Sequence, residues 1–183
     1  MTGLDGTAVR LRPIRASEFP TIHAWYQDPD RVAPFDRYAA DTYDEFVRST
    51  EGAADDPTSL APRFAVAELA SDRLVGVVGH YVPHPVLEYL EVWYLIGAED
   101  ARGRGYGREA VRLLVGYLFA TRSIERVGAS VDVENVASNR LAAGLGFRCE
   151  GMLRSALFHH GRWHDVNLYG ITRSEWAEKH PPG

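Results

Sequence analysis

Three glycines at alternate positions, in Arg102-Gly103-Arg104-Gly105-Tyr106-Gly107, stand directly between a strand pattern and a helix pattern. Upstream, Glu91 to Ile96 is apolar, aromatic and β-branched with no helical period, which predicts a buried strand. Downstream, Ala110, Leu113, Leu114, Tyr117 and Leu118 recur at helical spacing, interleaved with Arg108, Glu109 and Arg112. A strand that turns through bare backbone into a helix commits the middle of the chain to an α/β arrangement. It also has a chemical consequence. Glycines without Cβ atoms let backbone N–H groups approach a ligand, and the helix start aims its own orphan N–H groups at the same place. With arginines alongside, the segment predicts a cradle for a pyrophosphate.

The chain has 183 residues, 45% of them hydrophobic, enough to bury a full core in one domain spanning 1–183 with its core at about 7–176. A formal charge of -5, with no basic run or stacking motif, argues against nucleic acid as a partner and is compatible with an amine-bearing one. Cys149 is the single cysteine, which excludes an intramolecular disulfide and a thiolate zinc cluster; beside Phe147 it reads as a small core residue. Met1 to Gly6 lacks an apolar leader core, and no stretch reaches membrane-spanning length. The expectation is a cytoplasmic protein that engages no membrane.

Along the chain, Thr7 to Ile14 alternates as an opening strand. Ser17 is placed to cap a helix running through Trp25, ended by Asp28-Pro29, and Asp28 to Tyr38 reads as a loop. A second helix is expected from Asp41 to about Thr50, then a loop from Gly52 to Pro62. Strands at Phe64–Leu69 and Leu74–His80 flank the turn Ala70-Ser71-Asp72-Arg73. The central helix should run from Gly105 to about Arg122. After it come a strand at Val127–Val133 and a helix capped by Asn135 and stopped at Gly146. Arg148–Phe158 and Trp163–Ile171 close the chain as a hairpin around His160-Gly161. The order β-α-α-β-β-β-α-β-α-β-β predicts a mostly antiparallel mixed sheet flanked by helices, with one helical crossover after the cradle.

Gly105-Tyr106-Gly107 with Ala110 also satisfies a dinucleotide fingerprint. That motif belongs in the first βα turn, with an acidic residue closing the next strand; here it is mid-chain, and Glu125 precedes the next strand. No Gly-Lys-Ser/Thr exists for a nucleotide P-loop. The run Arg102 to Gly107 instead resembles the CoA-binding signature of the GNAT superfamily of acetyl-CoA-dependent N-acetyltransferases, Gln/Arg-x-x-Gly-x-Gly/Ala. Val133 to Asn139, then Leu145-Gly146-Phe147, Glu150-Gly151 and Gly161 to Val166, resemble the RimJ/RimL branch, so the likeness runs from about Thr7 to Trp176. It implies that backbone amides of Arg102, Gly103, Arg104, Gly105, Tyr106 and Gly107 bind the CoA pyrophosphate. It implies too that the strand ending Leu95-Ile96 splays from the next one, with pantetheine in the gap and a backbone N–H near Leu95 facing the thioester carbonyl. Asn135 would reach the pantetheine arm as well as cap its helix.

Transfer to an amine needs a neutral nucleophile and a protonated leaving thiolate. Glu91 begins the predicted strand, on the face shared with Trp93 and Leu95, where it is either the base for the amine or a solvated charge at a strand end. Ser138 is the candidate acid for the CoA sulfur, or a local helix-start hydroxyl. Many relatives carry a tyrosine where this chain has Ala142, and some of the branch carry a glutamate where it has Leu157. The expected acceptor is a primary amine, on a protein or peptide N-terminus or a small molecule such as an antibiotic or polyamine. A CoA-binding regulatory or sensor module is the alternative. His159-His160 and His164-Asp165 flank a hairpin turn and are read as pattern residues of that hairpin, with no metal site; Asp165 is expected to pair within the sheet or border the acceptor groove. Oligomeric state, a homodimer included, stays open.

Overall fold

In the computed structural model, which describes residues 3–28, 42–53, 56–159 and 161–181, eight strands form one sheet. They are β1 (Leu4–Asp5), β2 (Val9–Arg12), β3 (Phe64–Glu68), β4 (Leu74–Tyr81), β5 (Leu90–Ile96), β6 (Arg126–Asp132), β7 (Arg148–His159) and β8 (Arg162–Thr172). The helices among the described residues are α1 (Phe19–Tyr26), α2 (Tyr43–Gly52), α3 (Tyr106–Thr121), α4 (Val136–Leu145) and α5 (Arg173–Lys179). Strand order is β1-β2-β3-β4-β5-β6-β8-β7, antiparallel throughout except for β5 beside β6. That one parallel pair needs a crossover, and α3 supplies it. The sheet is therefore the mostly antiparallel, helix-flanked one expected from the sequence.

Both faces of the sheet are covered. On one, Val111, Leu114, Val115 and Leu118 of α3 pack on Val9, Leu11, Val78, Val92 and Val127. Leu114 is fully buried, so Leu114→Ala should cost about 2–5 kcal/mol through lost transfer energy and a residual cavity. On the other face Phe19, Ile22 and Trp25 of α1 and Phe46 of α2 pack against Val77, with Trp93 and Leu95 at the margin. The alternation of β5 thus divides as read from the sequence: Val92 joins one core, Trp93 and Leu95 the other.

Asn135 caps α4, its side chain accepting from the Ser138 amide at 3.0 Å, and Gly146 ends that helix in the left-handed region. Thr42 caps α2 through a reciprocal pair with Glu45. Three expectations are corrected. Ser17 is no cap: it lies in a 3₁₀ turn (Ala16–Glu18), and the Glu18 carboxylate instead accepts the Arg15 amide and pairs with Arg12. Cys149 is exposed, because β7 is an edge strand with little packed against it. The chain also forms β1 and α5, which the periodicity reading did not include. The expected loop at Asp28–Tyr38 and helix start at Asp41 lie almost wholly outside the described residues, as does His160.

Candidate active site

The site begins where β5 and β6 part. They pair only at Leu90↔Val127 and Glu91↔Gly128; beyond that register Trp93 to Ile96 and Ala129 to Asp132 diverge. The pairing of β5 with β4 continues to Ile96, and that of β6 with β8 to Asp132, so each half of the sheet stays intact while the middle opens. The resulting cleft is lined by Trp93, Tyr94, Ser130, Asp132, Asn135, Ser138 and Ala142.

At the mouth, Arg102 to Gly105 are exposed, Tyr106 is half-buried and Gly107 is buried. Gly103 and Gly105 have φ of +72° and +82°, conformations that strain any L side chain, although space around both is open. Gly105 is the N-cap of α3 and provides no side-chain bond, so the first-turn N–H groups have no side-chain cap. Gly107 has a different reason to be small: a Cβ there would lie 2.7 Å from the Tyr94 ring. Arg102 turns back and donates from Nε to the Ile96 carbonyl at 3.2 Å, tying the loop to the end of β5. Glu109, an anion in the first turn, is engaged elsewhere. Burial opposes its charge, but donors from Thr7, Ala8 and Val9 outweigh that and hold its carboxyl below the usual range.

Inside, Glu91 is 8% exposed and is no solvated strand end. Its Oε2 accepts from the Tyr81 hydroxyl at 2.7 Å and from the Ser130 hydroxyl at 3.0 Å, so β4 and β6 both position it. Gly128 gives it room, since a Cβ there would sit 3.3 Å from the Glu91 Cγ. Ser138 lies across the cleft, its Oγ 3.1 Å from the Tyr94 hydroxyl. Burial pushes the Tyr94 phenol up, only partly offset by the bond with Ser138, so it stays protonated at neutral pH. Tyr94 and Ser130 were not singled out from the sequence. The period-2 pattern of β5 gives the face on which Tyr94 lies, but only the register and the angle of α4 bring its hydroxyl to Ser138.

Leu95 and Ile96 lie on the diverged part of β5, and Asn135 and Ser138 on the opposite wall. Leu157 pairs with His164 in the closing hairpin, and Asp165, opposite the irregular stretch of β7 between Leu153 and Leu157, accepts the Ser155 amide at its side-chain Oδ1 at 2.8 Å. His159 and His164 meet Asp132 rather than Asp165, with Nε2 of His159 2.6 Å from the Asp132 Oδ2. Among the described residues no helix is long and apolar enough to cross a membrane.

Residues 8–148 match the family model for the acetyltransferase (GNAT) domain. An uncharacterized N-acetyltransferase of Bacillus subtilis (strain 168), YoaA, is 32% identical over 111 residues, 61% of this chain and 62% of that protein. The ribosomal-protein-serine acetyltransferase of Escherichia coli (strain K12) is 31% identical over 98 residues, 54% of each chain. The chain thus spans little more than half to three-fifths of the length of these relatives. A spermidine N-acetyltransferase from Vibrio cholerae, solved with CoA and spermine, superimposes with a TM-score of 0.82 over 93% of this chain and 99% of that one, at 22% identity, a likeness of fold. The splayed sheet, the glycine loop and the matched domain define one class: the chain belongs to the GNAT acetyltransferase family.

Proposed function

We propose that the protein is an acetyl-CoA-dependent N-acetyltransferase of RimJ/RimL type, acting in the cytoplasm on a primary amine. The observation that carries this reading is the parting of β5 and β6 after Glu91↔Gly128, directly below an uncapped, glycine-led helix start. Unpaired strand backbone in the gap suits the amides of a pantetheine arm, which would add to the sheet as a strand does. The amides of Arg102 to Gly107 would hold the pyrophosphate, and the Asn135 side chain, whose Oδ1 caps α4, would offer its Nδ2 donors to the arm. Backbone of Leu95 and Ile96 would frame the thioester, with a strand N–H stabilising the oxyanion.

In this reading the amine attacks the thioester carbonyl directly within a ternary complex, and positioning supplies much of the acceleration. An alkylammonium with a pKa of about 10.4 must first lose a proton. Both hydrogen bonds to Glu91 fall on Oε2, and Oε1 is assigned to take that proton, directly or through water. Collapse of the tetrahedral intermediate breaks the C–S bond. The remaining extra proton on the new amide nitrogen leaves to solvent. Ser138 donates its proton to the sulfur, and the Tyr94 hydroxyl behind it resupplies Ser138 and is itself reprotonated from solvent. The pair would do from two elements what a single tyrosine at the position of Ala142 does in many relatives.

A carboxylate in the cleft is compatible with an amine acceptor, as is the excess of acidic residues; relatives and neighbours named for ribosomal-protein serine and for spermidine support amines of either kind. The test is thiol release from acetyl-CoA across peptides, polyamines and aminoglycosides, with each product weighed by mass spectrometry. A mass gain of one acetyl group on an amine, lost in Glu91→Gln, supports the reading. Tight acetyl-CoA binding with no turnover on any acceptor would instead favour the sensor module.

A further inference from the structure

Two stacked histidines and one aspartate close the far end of β6, outside the acid–base pair assigned above. The imidazoles of His159 and His164 lie face to face, centroids 3.6 Å apart and 23° from parallel. Nε2 of His159 and Nδ1 of His164 approach the same carboxylate oxygen, Oδ2 of Asp132, at 2.6 and 3.0 Å. One ligand atom from each of the three residues lies within 4.8 Å of the other two, and all three residues are more than nine-tenths buried. A hydrogen-bonded cluster accounts for His159 but not fully for His164, whose Nδ1 lies 3.0 Å from Oδ2 without hydrogen-bond geometry and whose Nε2 is buried with no hydrogen-bond partner. Leaving such groups unsatisfied costs about 1–3 kcal/mol each, so a buried imidazole in this state asks for a ligand.

The geometry points to a binding site for a divalent transition cation of the zinc class, ligated by Asp132 Oδ2, His159 Nε2 and His164 Nδ1. Two imidazoles and a carboxylate are a donor set that suits zinc, which takes His nitrogen at about 2.0–2.1 Å and carboxylate oxygen at a similar distance. A fourth ligand stands at the rim. Oε2 of Glu134 lies 3.7 Å from the His164 Nδ1, on an exposed side chain now paired with Arg162. Binding would exchange that surface ion pair, worth little in water, for coordination. The ring protons at the ligating nitrogens would pass to solvent as the ion enters.

The consequence is mechanical. The other Asp132 oxygen accepts the Glu134 backbone amide at 2.7 Å, and the Asp132 carbonyl accepts from the side-chain Nδ2 of Asn139 at 2.8 Å. An ion here would therefore pin the β7–β8 hairpin to the turn that presents Asn135 and Ser138 to the cleft. This inference does not depend on the catalytic assignment.

Calorimetric titration of the full chain with Zn2+, in a Cys149→Ser background so that the exposed thiol cannot bind it, tests the proposal. One equivalent per chain is expected, with a melting temperature about 5 °C or more higher at a hundredfold excess over Kd. Co2+ in its place should give visible ligand-field bands with no thiolate charge transfer. His164→Gln should weaken binding by at least about tenfold, as should Glu134→Gln, whose exposed position cannot compromise folding. His84→Gln, an exposed histidine elsewhere, should change nothing. No saturable zinc binding, or binding equal in Glu134→Gln and the parent, would overturn the site.

Discussion

Of the two sequence readings of Glu91, a base or a solvated charge at a strand end, the structure removes the second: the carboxylate is buried and held by Tyr81 and Ser130. If it takes the proton of the amine, Glu91→Gln keeps the shape and most of the hydrogen bonding but removes the base. Turnover should then fall by about 10²-fold or more while acetyl-CoA affinity is unchanged, and part of the rate should return at high pH as the free amine becomes abundant. Rate against pH for both forms checks this; a loss of affinity with turnover preserved would assign Glu91 to binding alone. Tyr94 is a second residue with a divided role, its ring against Gly107 and its hydroxyl on Ser138. Gly107→Ala would press a methyl into that ring, and a loss of about 1–3 kcal/mol is expected in chemical denaturation.

At the scale of elements, most of what was legible in the sequence was local. The glycine loop, the Asn135 cap and the Gly146 stop each depend on a few adjacent residues and their backbone conformations, so their patterns are written in short spans. The same holds for the alternation that sends Val92 and Trp93 to opposite cores. α5 carries a local signature too, the reciprocal Thr172–Glu175 cap, but it is only seven residues long and its single buried residue, Trp176, gives no apolar period. What was not legible depends on pieces far apart in the chain. Asp132 meets His159 and His164 because β6 pairs with β8, and Tyr94 meets Ser138 because α4 crosses above a widened sheet. No spacing rule encodes either distance. Asn135 tests the local side: Asn135→Ala removes the cap and should cost about 1 kcal/mol of stability, with weaker acetyl-CoA binding if its amide also serves the pantetheine.

For the molecule as a whole, one buried titratable group sets an acid limit that has no part in the proposed chemistry. His80 faces the interior; burial first, then the charges of Arg63 and Arg122, push its imidazole down to about 4. Above about pH 6.5 both folded and unfolded chains hold it neutral, and it makes no difference. As pH falls below that value the unfolded chain gains a proton that the folded one resists, so stability declines until the folded form also titrates near 4. The loss is roughly 3 kcal/mol. His80→Leu, close in volume and without the titration, should flatten that part of the stability–pH curve; an unchanged slope would mean the imidazole is protonated in the fold. The fold's central claim is different in kind: a sheet intact on both sides opens at one parallel seam, and a glycine-led helix points into the mouth. Calorimetry of acetyl-CoA binding to the parent chain and to Gly105→Glu tests this most directly. The account predicts saturable one-to-one binding by the parent and a loss of at least about 100-fold in the variant, with the fold retained by circular dichroism, because the added carboxylate takes the place of the pyrophosphate. Equal affinity in the two proteins, or no binding by the parent, would contradict it.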